Sequence, residues 1–291
     1  MRAFVNTVRK LFRTDMRFRF GVIALGFLLI FVLLSFFSPY DPRSSYYVPI
    51  SRPPSLKYLF GTTGRGQDLF WLLTFALKNS LIFGLEVALL SRIIAIITGV
   101  VAGYRGGTII DNVLTLFCDT FVVLPIFPIL VFLRLVARGM TFSTLAVVLA
   151  LFGWPWDARL IRAQVLSLRE RKFTLTAVFS GKSIFDLIFS EYLLHILPIV
   201  LATTINNMLW SLGLEITLSI LGLTPLDIPT MGTVTYWAIQ QQAMVTGAWW
   251  WILFPIVFII LLFTSLYLLV TSLTSFINPQ LRSINMREVG R

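Results

Sequence analysis

Apolar residues in this chain do not alternate with polar ones; they come in long runs. Six stretches, approximately Phe20 to Phe37, Leu81 to Gly103, Val113 to Val136, Thr141 to Trp156, Ile196 to Leu221 and Trp249 to Ile277, are apolar almost throughout. A helix that crosses hydrocarbon needs about 20 such residues, because every backbone N–H and C=O must be paired inside the segment. The pattern therefore predicts an all-α membrane protein with six transmembrane helices, the fourth being the shortest. No internal repeat, low-complexity tract or soluble domain stands out between the runs.

The polar residues that separate the runs set an orientation. Arg2, Arg9, Lys10, Arg13, Arg17 and Arg19 precede the first run against only Asp15, and by the positive-inside rule this places the N-terminus in the cytoplasm. Alternation then puts Arg159, Arg162, Arg169, Arg171, Lys172 and Lys182 inside, together with Arg282, Arg287 and Arg291 of the C-terminal tail. Outside fall a segment from Ser38 to about Lys78, a short turn near Arg138, and a loop from Gly222 to about Gly247 whose one ionised side chain is Asp227. Trp249, Trp250 and Trp251 are expected at the outer interface, where amphipathic rings settle. The first run ends in Ser35 to Pro39 without an Ala-x-Ala-like pair of small residues, so it reads as a retained anchor and not a cleaved signal.

Composition sharpens this picture. With 57% hydrophobic and 13% charged residues and a mean hydropathy of +0.86, water is not the main solvent of the chain. The net charge of +11 is explained by topology and not by nucleic acid, since no basic face is interleaved with stacking aromatics. One cysteine, Cys118, excludes an internal disulfide and a thiolate cluster, and one histidine, His195, excludes paired-histidine metal sites. No phosphate-cradling glycine loop, nucleophile elbow or pair of carboxylates at helical spacing is present, so the chain is expected to hydrolyse nothing itself. Three parts are expected: residues 1–77 with the first helix and outer segment, a core of five helices over 78–277, and a cytoplasmic tail over 278–291.

Between the fourth and fifth runs the segment 157–198 is too long for a bare turn and rich in helix formers. Taken alone it reads as an amphipathic hairpin at the membrane surface. Its wording says more: Ala158 to Phe173, Ala177, Gly181 and Ile196-Leu197-Pro198 resemble the EAA loop of ABC importer permeases of the oligopeptide, dipeptide and nickel branch. The same branch is matched by Phe60-Gly61-Thr62 with Gly66 and Asp68, by Asn79-Ser80-Leu81, and by Ala102-Gly103-Tyr104 with Gly106-Gly107 and Asp111. Asp119 with Pro125, Glu215 with Leu218-Ser219 and Leu221-Gly222-Leu223, Phe254-Pro255 and Asn278-Pro279 continue the match.

This resemblance implies a type I ABC importer permease fold in the inner (cytoplasmic) membrane, without catalysis or cofactor of its own. It implies a second homologous permease, two ATPase subunits that bind ATP and Mg, and an extracellular substrate-binding protein. The coupling helix would be carried by Arg169, Arg171, Phe173, Leu175, Thr176, Ala177, Phe179 and Gly181. Short oligopeptides are the expected cargo, with oligosaccharides or nickel as alternatives; a stand-alone secondary transporter and a membrane enzyme are more distant ones. Where the family has Glu-Ala-Ala this chain reads Leu175-Thr176-Ala177, which predicts a more apolar seat centred on Phe173, Leu175 and Phe179. The stretch from Gly181 to Pro198 is also longer than the family pattern by about one helical turn. Val270-Thr271 stand where the family has Gly-Asp, a change with no functional account.

Ionisable groups inside the runs need a partner or water. Glu86 and Glu215 are candidates for the translocation path, with a structural hydrogen bond between helices the equal alternative. Arg92 and Asp119 lie nearer the cytoplasmic halves and read as structural, and His195 as an interfacial hydrogen-bonding residue.

Overall fold

A computed structural model describes residues 11–13, 15–136 and 141–277. Arg2, Arg9, Lys10, Arg138, Asn278-Pro279 and the tail arginines lie outside the described residues. The described chain is helical: α1 Met16–Leu33 with a tight turn Leu34–Phe37, α2 Leu69–Tyr104, α3 Ile109–Val123, α4 Ile126–Val136, α5 Phe142–Arg169, α6 Lys172–Phe179, α7 Ile184–Leu187, α8 Leu193–Ile220, α9 Met231–Gln240 and α10 Trp250–Ile277. Five of these are individually long and apolar enough to cross a membrane, and α3 with α4, bent by 75° at their break, make a sixth when the pair is counted as one broken span. The bundle has two unlike ends: a capped end carrying residues 38–68 and α9, and a basic end carrying 105–108 and 159–195.

Four boundaries differ from expectation. Helix α2 begins at Leu69, not near Leu81, because the Asp68 carboxylate accepts from Phe70 N–H (3.0 Å) and caps it there. At 36 residues and about 1.5 Å each it exceeds the about 30 Å of hydrocarbon, so its first turns stand in the capped end. A division after residue 77 thus falls inside one continuous helix. The third run is broken: Pro125 has no N–H to donate and forces Leu124 into extended backbone (φ −63°, ψ 129°). Helix α5 continues past Trp156 to Arg169, and the loop expected at Gly222 to Gly247 contains α9.

Helix α9 shows why its loop is nearly uncharged. Thr230 and Thr233 form a capping box, and Met231, Gly232, Thr233, Val234, Thr235 and Ala238 are buried in the bundle. Asn79 Nδ2 donates to Pro229 O (2.7 Å) and Met231 N–H to Ser80 Oγ (3.1 Å), tying α9 to α2. The tryptophans beside it are likewise inside: Trp250 and Trp251 are buried and only Trp249 is exposed, so they are not an interfacial belt. Trp250 Nε1 donates to Thr62 O (3.1 Å) and pins the 38–68 segment onto α10.

The largest helix interface joins α2 to α5, and small residues make it possible. A Cβ at Gly99 would stand 2.7 Å from Ala158 O, and one at Gly103 2.7 Å from Val165 Cβ. Two glycines one turn apart let the backbones approach closely, which is how helices associate where lipid offers no hydrophobic drive.

Candidate translocation wall and coupling helix

The break at Pro125 lies on the edge of a cavity of about 200 Å³, lined by Phe121, Leu124 and Ile126 on one side and by Phe152, Trp156, Asp157, Asn206, Asn207 and Trp210 on the other. Non-helical backbone at membrane depth is tolerated where it faces protein or a water-filled cavity. The cavity is a half-wall: Trp156 is 63% exposed, and the Asn206 side chain is exposed with no hydrogen-bond partner among the described residues. A free amide on a transmembrane helix is costly against lipid, which marks this face for water or a second protein.

Behind the wall three helices are clamped by polar groups. Arg92 of α2 donates to Asp157 of α5 (2.8 Å), both side chains 6% exposed, and to Thr204 Oγ1 of α8 (2.8 Å). Asn207 Nδ2 donates to Gly153 O (2.8 Å) and reaches Asp157 Oδ2 at 3.4 Å. Arg92 therefore has the structural partners its position called for. Neither Asp157 nor Asn207 stood out in the sequence; an acid between Trp156 and Ala158 at the edge of a span was the signal for the first.

Toward the basic end the polar face of α5 is stapled to α2 and α3. Arg162 grips buried Asp111 with two bonds (Nε–Oδ1 2.6 Å, Nη2–Oδ2 2.7 Å), the bidentate geometry of the stronger ion pairs. Arg159 pairs with Asp119 at the surface, where such a pair adds at most about 1 kcal/mol. Arg169 donates to the Tyr104 and Gly106 carbonyls (3.2 Å each). It thus holds the end of α5 against the α2–α3 turn, away from the free face of α6.

Helix α6 crosses this end as a short rod with two unlike faces. Its inner face holds Thr174, whose hydroxyl donates to Leu168 O (2.7 Å), and Ala177, packed with Leu168, Leu187 and Tyr192. Tyr192 OH donates to Thr174 Oγ1 (3.4 Å). Phe173 is half-buried with its ring stacked on His195 (centroids 5.1 Å, 12° between planes), and His195 Nδ1 bonds Glu191 O (2.7 Å). The outer face shows Arg171, Lys172, Thr176 and Phe179, the last 87% exposed. The Leu175 side chain lies outside the described residues. The helix ends in a Schellman motif: Gly181 adopts φ +75° and Lys182 N–H donates to Ala177 O (3.1 Å).

The extra turn after Gly181 takes the form of α7 followed by a π-helical turn, Ile188–Tyr192, running directly into α8. A π turn absorbs inserted length without breaking the helix axis. Lys182 Nζ bonds Glu191 Oε1 (2.9 Å) across this hairpin. The α6 rod is thus tied to α5 through the Thr174–Leu168 bond and to α8 through the Phe173–His195 stack.

The two intramembrane glutamates do not come together, and neither lines the cavity. Glu215 is fully buried, its Oε1 accepting from Thr230 Oγ1 (2.6 Å) and Ser219 Oγ (2.8 Å), with Ser219 also bonded to Thr224 (2.8 Å). It ties α8 to the loop that carries α9. Glu86 is half-buried on α2 beside the exposed Ile82, Leu85, Leu89 and Ile93.

Residues 95–283 match the model of the family described as binding-protein-dependent transport system inner membrane component. The chain is 26% identical to the oligopeptide transport system permease protein OppC of Lactococcus lactis subsp. cremoris over 91% of each chain. It is 28% identical to the dipeptide transport system permease protein DppC of Bacillus subtilis over 90% of this chain and 81% of that one. It is also 28% identical to the OppC of Mycobacterium bovis over 94% of each. The bent third span, the α6 rod and these matches agree: the chain belongs to the binding-protein-dependent transport system inner membrane components, the non-catalytic permeases of ABC importers.

Proposed function

We propose that this chain is one of two permease subunits of an importer for short peptides, with its basic end in the cytoplasm. The observation that carries the reading is the α6 rod. One face is fused by packing to α5 and α8, and the other presents Phe179 with cationic neighbours to a partner. A short helix so held turns a push from outside the bundle into rotation of two spans. The partners that push are two ATPase subunits, which hold ATP and Mg in this reading; an external binding protein delivers the cargo to the capped end. The cavity beside Pro125 is half of the path, and a second, related permease supplies the other half. Its lining mixes aromatic rings with the Asn206 and Asn207 amides and the Arg92-paired Asp157, so it offers polar contacts as well as a size limit.

Peptide as cargo is supported by the names of the relatives. Co-reconstitution of the chain with its second permease, the two ATPases and the binding protein tests the reading. Uptake of labelled short peptides is expected to require both ATP and the binding protein, and uptake by the chain alone under an ion gradient would overturn it.

A further inference from the structure

The capped end contains a second cavity, of about 120 Å³, that neither the wall nor the coupling helix uses. Buried Leu72 and Trp251 form its floor, exposed Arg43 and Asp227 its rim, and half-buried Arg65 its side. The Arg65 guanidinium lies 4.2 Å from the centroid of the Trp237 ring and donates to Ser45 Oγ (3.1 Å). No carboxylate pairs with it among the described residues, and burial pushes its pKa down. A guanidinium offers five N–H donors, so most of its capacity is unspent. The indole N–H of Trp251, a residue 1% exposed, also has no acceptor among the described residues. Leaving a buried donor unmet costs about 1–3 kcal/mol, and the Trp251 indole is such a donor at the same cavity that the half-buried Arg65 borders.

The backbone around them is strained as well. Tyr46 (φ +64°) and Gln242 (φ +51°) hold left-handed conformations without being glycine, which costs on the order of 1–3 kcal/mol each and gathers at functional sites. Tyr46 N–H donates to Arg65 O (2.8 Å), and Gln242 lies just past the Gln241 cap of the helix that bears Trp237. Around them, residues 38–78 and 222–247 carry Arg43, Arg52, Lys57, Arg65 and Lys78 against Asp41, Asp227 and the buried cap Asp68. The field at this end attracts anions.

We propose that this cavity anchors an aspartate or glutamate side chain of the external substrate-binding protein, with Arg65 as the fork and the Trp251 indole as a second donor. The proposal rests on the orientation and function given above. A carboxylate has two oxygens and room for both donors. Asp227 on the rim opposes it and sets how tightly it is held.

The test is binding of the purified binding protein to the whole transporter in lipid nanodiscs, by interferometry at low and moderate salt. Arg65→Gln is expected to raise Kd about tenfold or more and to flatten its salt dependence. Asp227→Asn, at an exposed residue without a hydrogen bond among the described residues, is expected to lower Kd severalfold, so a fold defect in the first variant cannot imitate the pair of results. Arg65→Glu combined with Lys at one acidic position of the binding protein is expected to restore binding. Unchanged Kd in both single variants overturns the proposal. A change confined to the peptide KM at saturating binding protein also overturns it, because the cavity would then read the cargo. A wild-type transporter that no binding protein engages would instead sink the importer reading itself.

Discussion

At the scale of single residues, burial decides what a charge is for. Glu215 sits where a proton-coupling acid could sit, yet its oxygen is held by the Thr230 and Ser219 hydroxyls, whose job is to seat α9. Glu215→Gln keeps an acceptor for both and is expected to leave peptide uptake and the melting temperature in detergent close to wild type. Glu215→Ala strands two buried hydroxyls and is expected to cost about 1–3 kcal/mol of stability. Abolished uptake in the Gln variant with normal melting would return Glu215 to the pathway. The need of each buried ion for a partner was legible in the sequence; the partners were not. Arg92 with Asp157 and Asp111 with Arg162 are separated by 65 and 51 positions, and apolar periodicity does not say which helices are neighbours.

At the scale of elements, the spans were legible because hydropathy along a helix that must satisfy its own backbone is nearly a one-dimensional property. The exceptions share a cause. The break at Pro125 hides inside a run that stays apolar through it, α9 hides because buried threonines replace charges, and α5 outruns its apolar stretch because its arginines find acids on α3. A short helix in the segment between the fourth and fifth runs was legible by resemblance, yet its faces were not. Phe173 and Phe179 were expected to share a seat, and the structure turns the first onto His195 and leaves the second free. Their substitutions should therefore separate. Phe179→Ala is expected to leave melting unchanged and to lower ATPase stimulation by loaded binding protein about tenfold, since a helix in a groove is anchored by few large side chains. Phe173→Ala is expected to cost about 1–3 kcal/mol of stability through lost packing. Equal losses of stability from both would show that α6 has no free face.

At the scale of the whole molecule, the bundle is lopsided, and the lopsidedness carries a mechanism. Its back, where α2, α5 and α8 meet, is closed by Gly99, Gly103 and the Arg92 clamp. Its front, where the third span bends, leaves Asn206 and Trp156 uncovered. In the proposed reading one chain is half of a channel, and a push on the rod at the basic end would be felt by α5 and α8, the two helices that flank the front. If the front is a wall of the path, water reaches Asn206 in the assembled transporter at some stage of the cycle. The native Cys118 is buried and is first replaced by Ser. Asn206→Cys in that background is then expected to react with a charged, water-soluble thiol reagent, because only a hydrated thiol ionises to the reactive thiolate. Ile260→Cys, on an exposed apolar stretch of α10, is the control and is expected to react on the order of tenfold more slowly or not at all. Trapping the ATPases with nucleotide should change the rate at Asn206 and leave Ile260 alone, since the rod moves the wall and not the lipid face. Equal inertness at both positions would mean that the front is turned to lipid and that the path runs elsewhere.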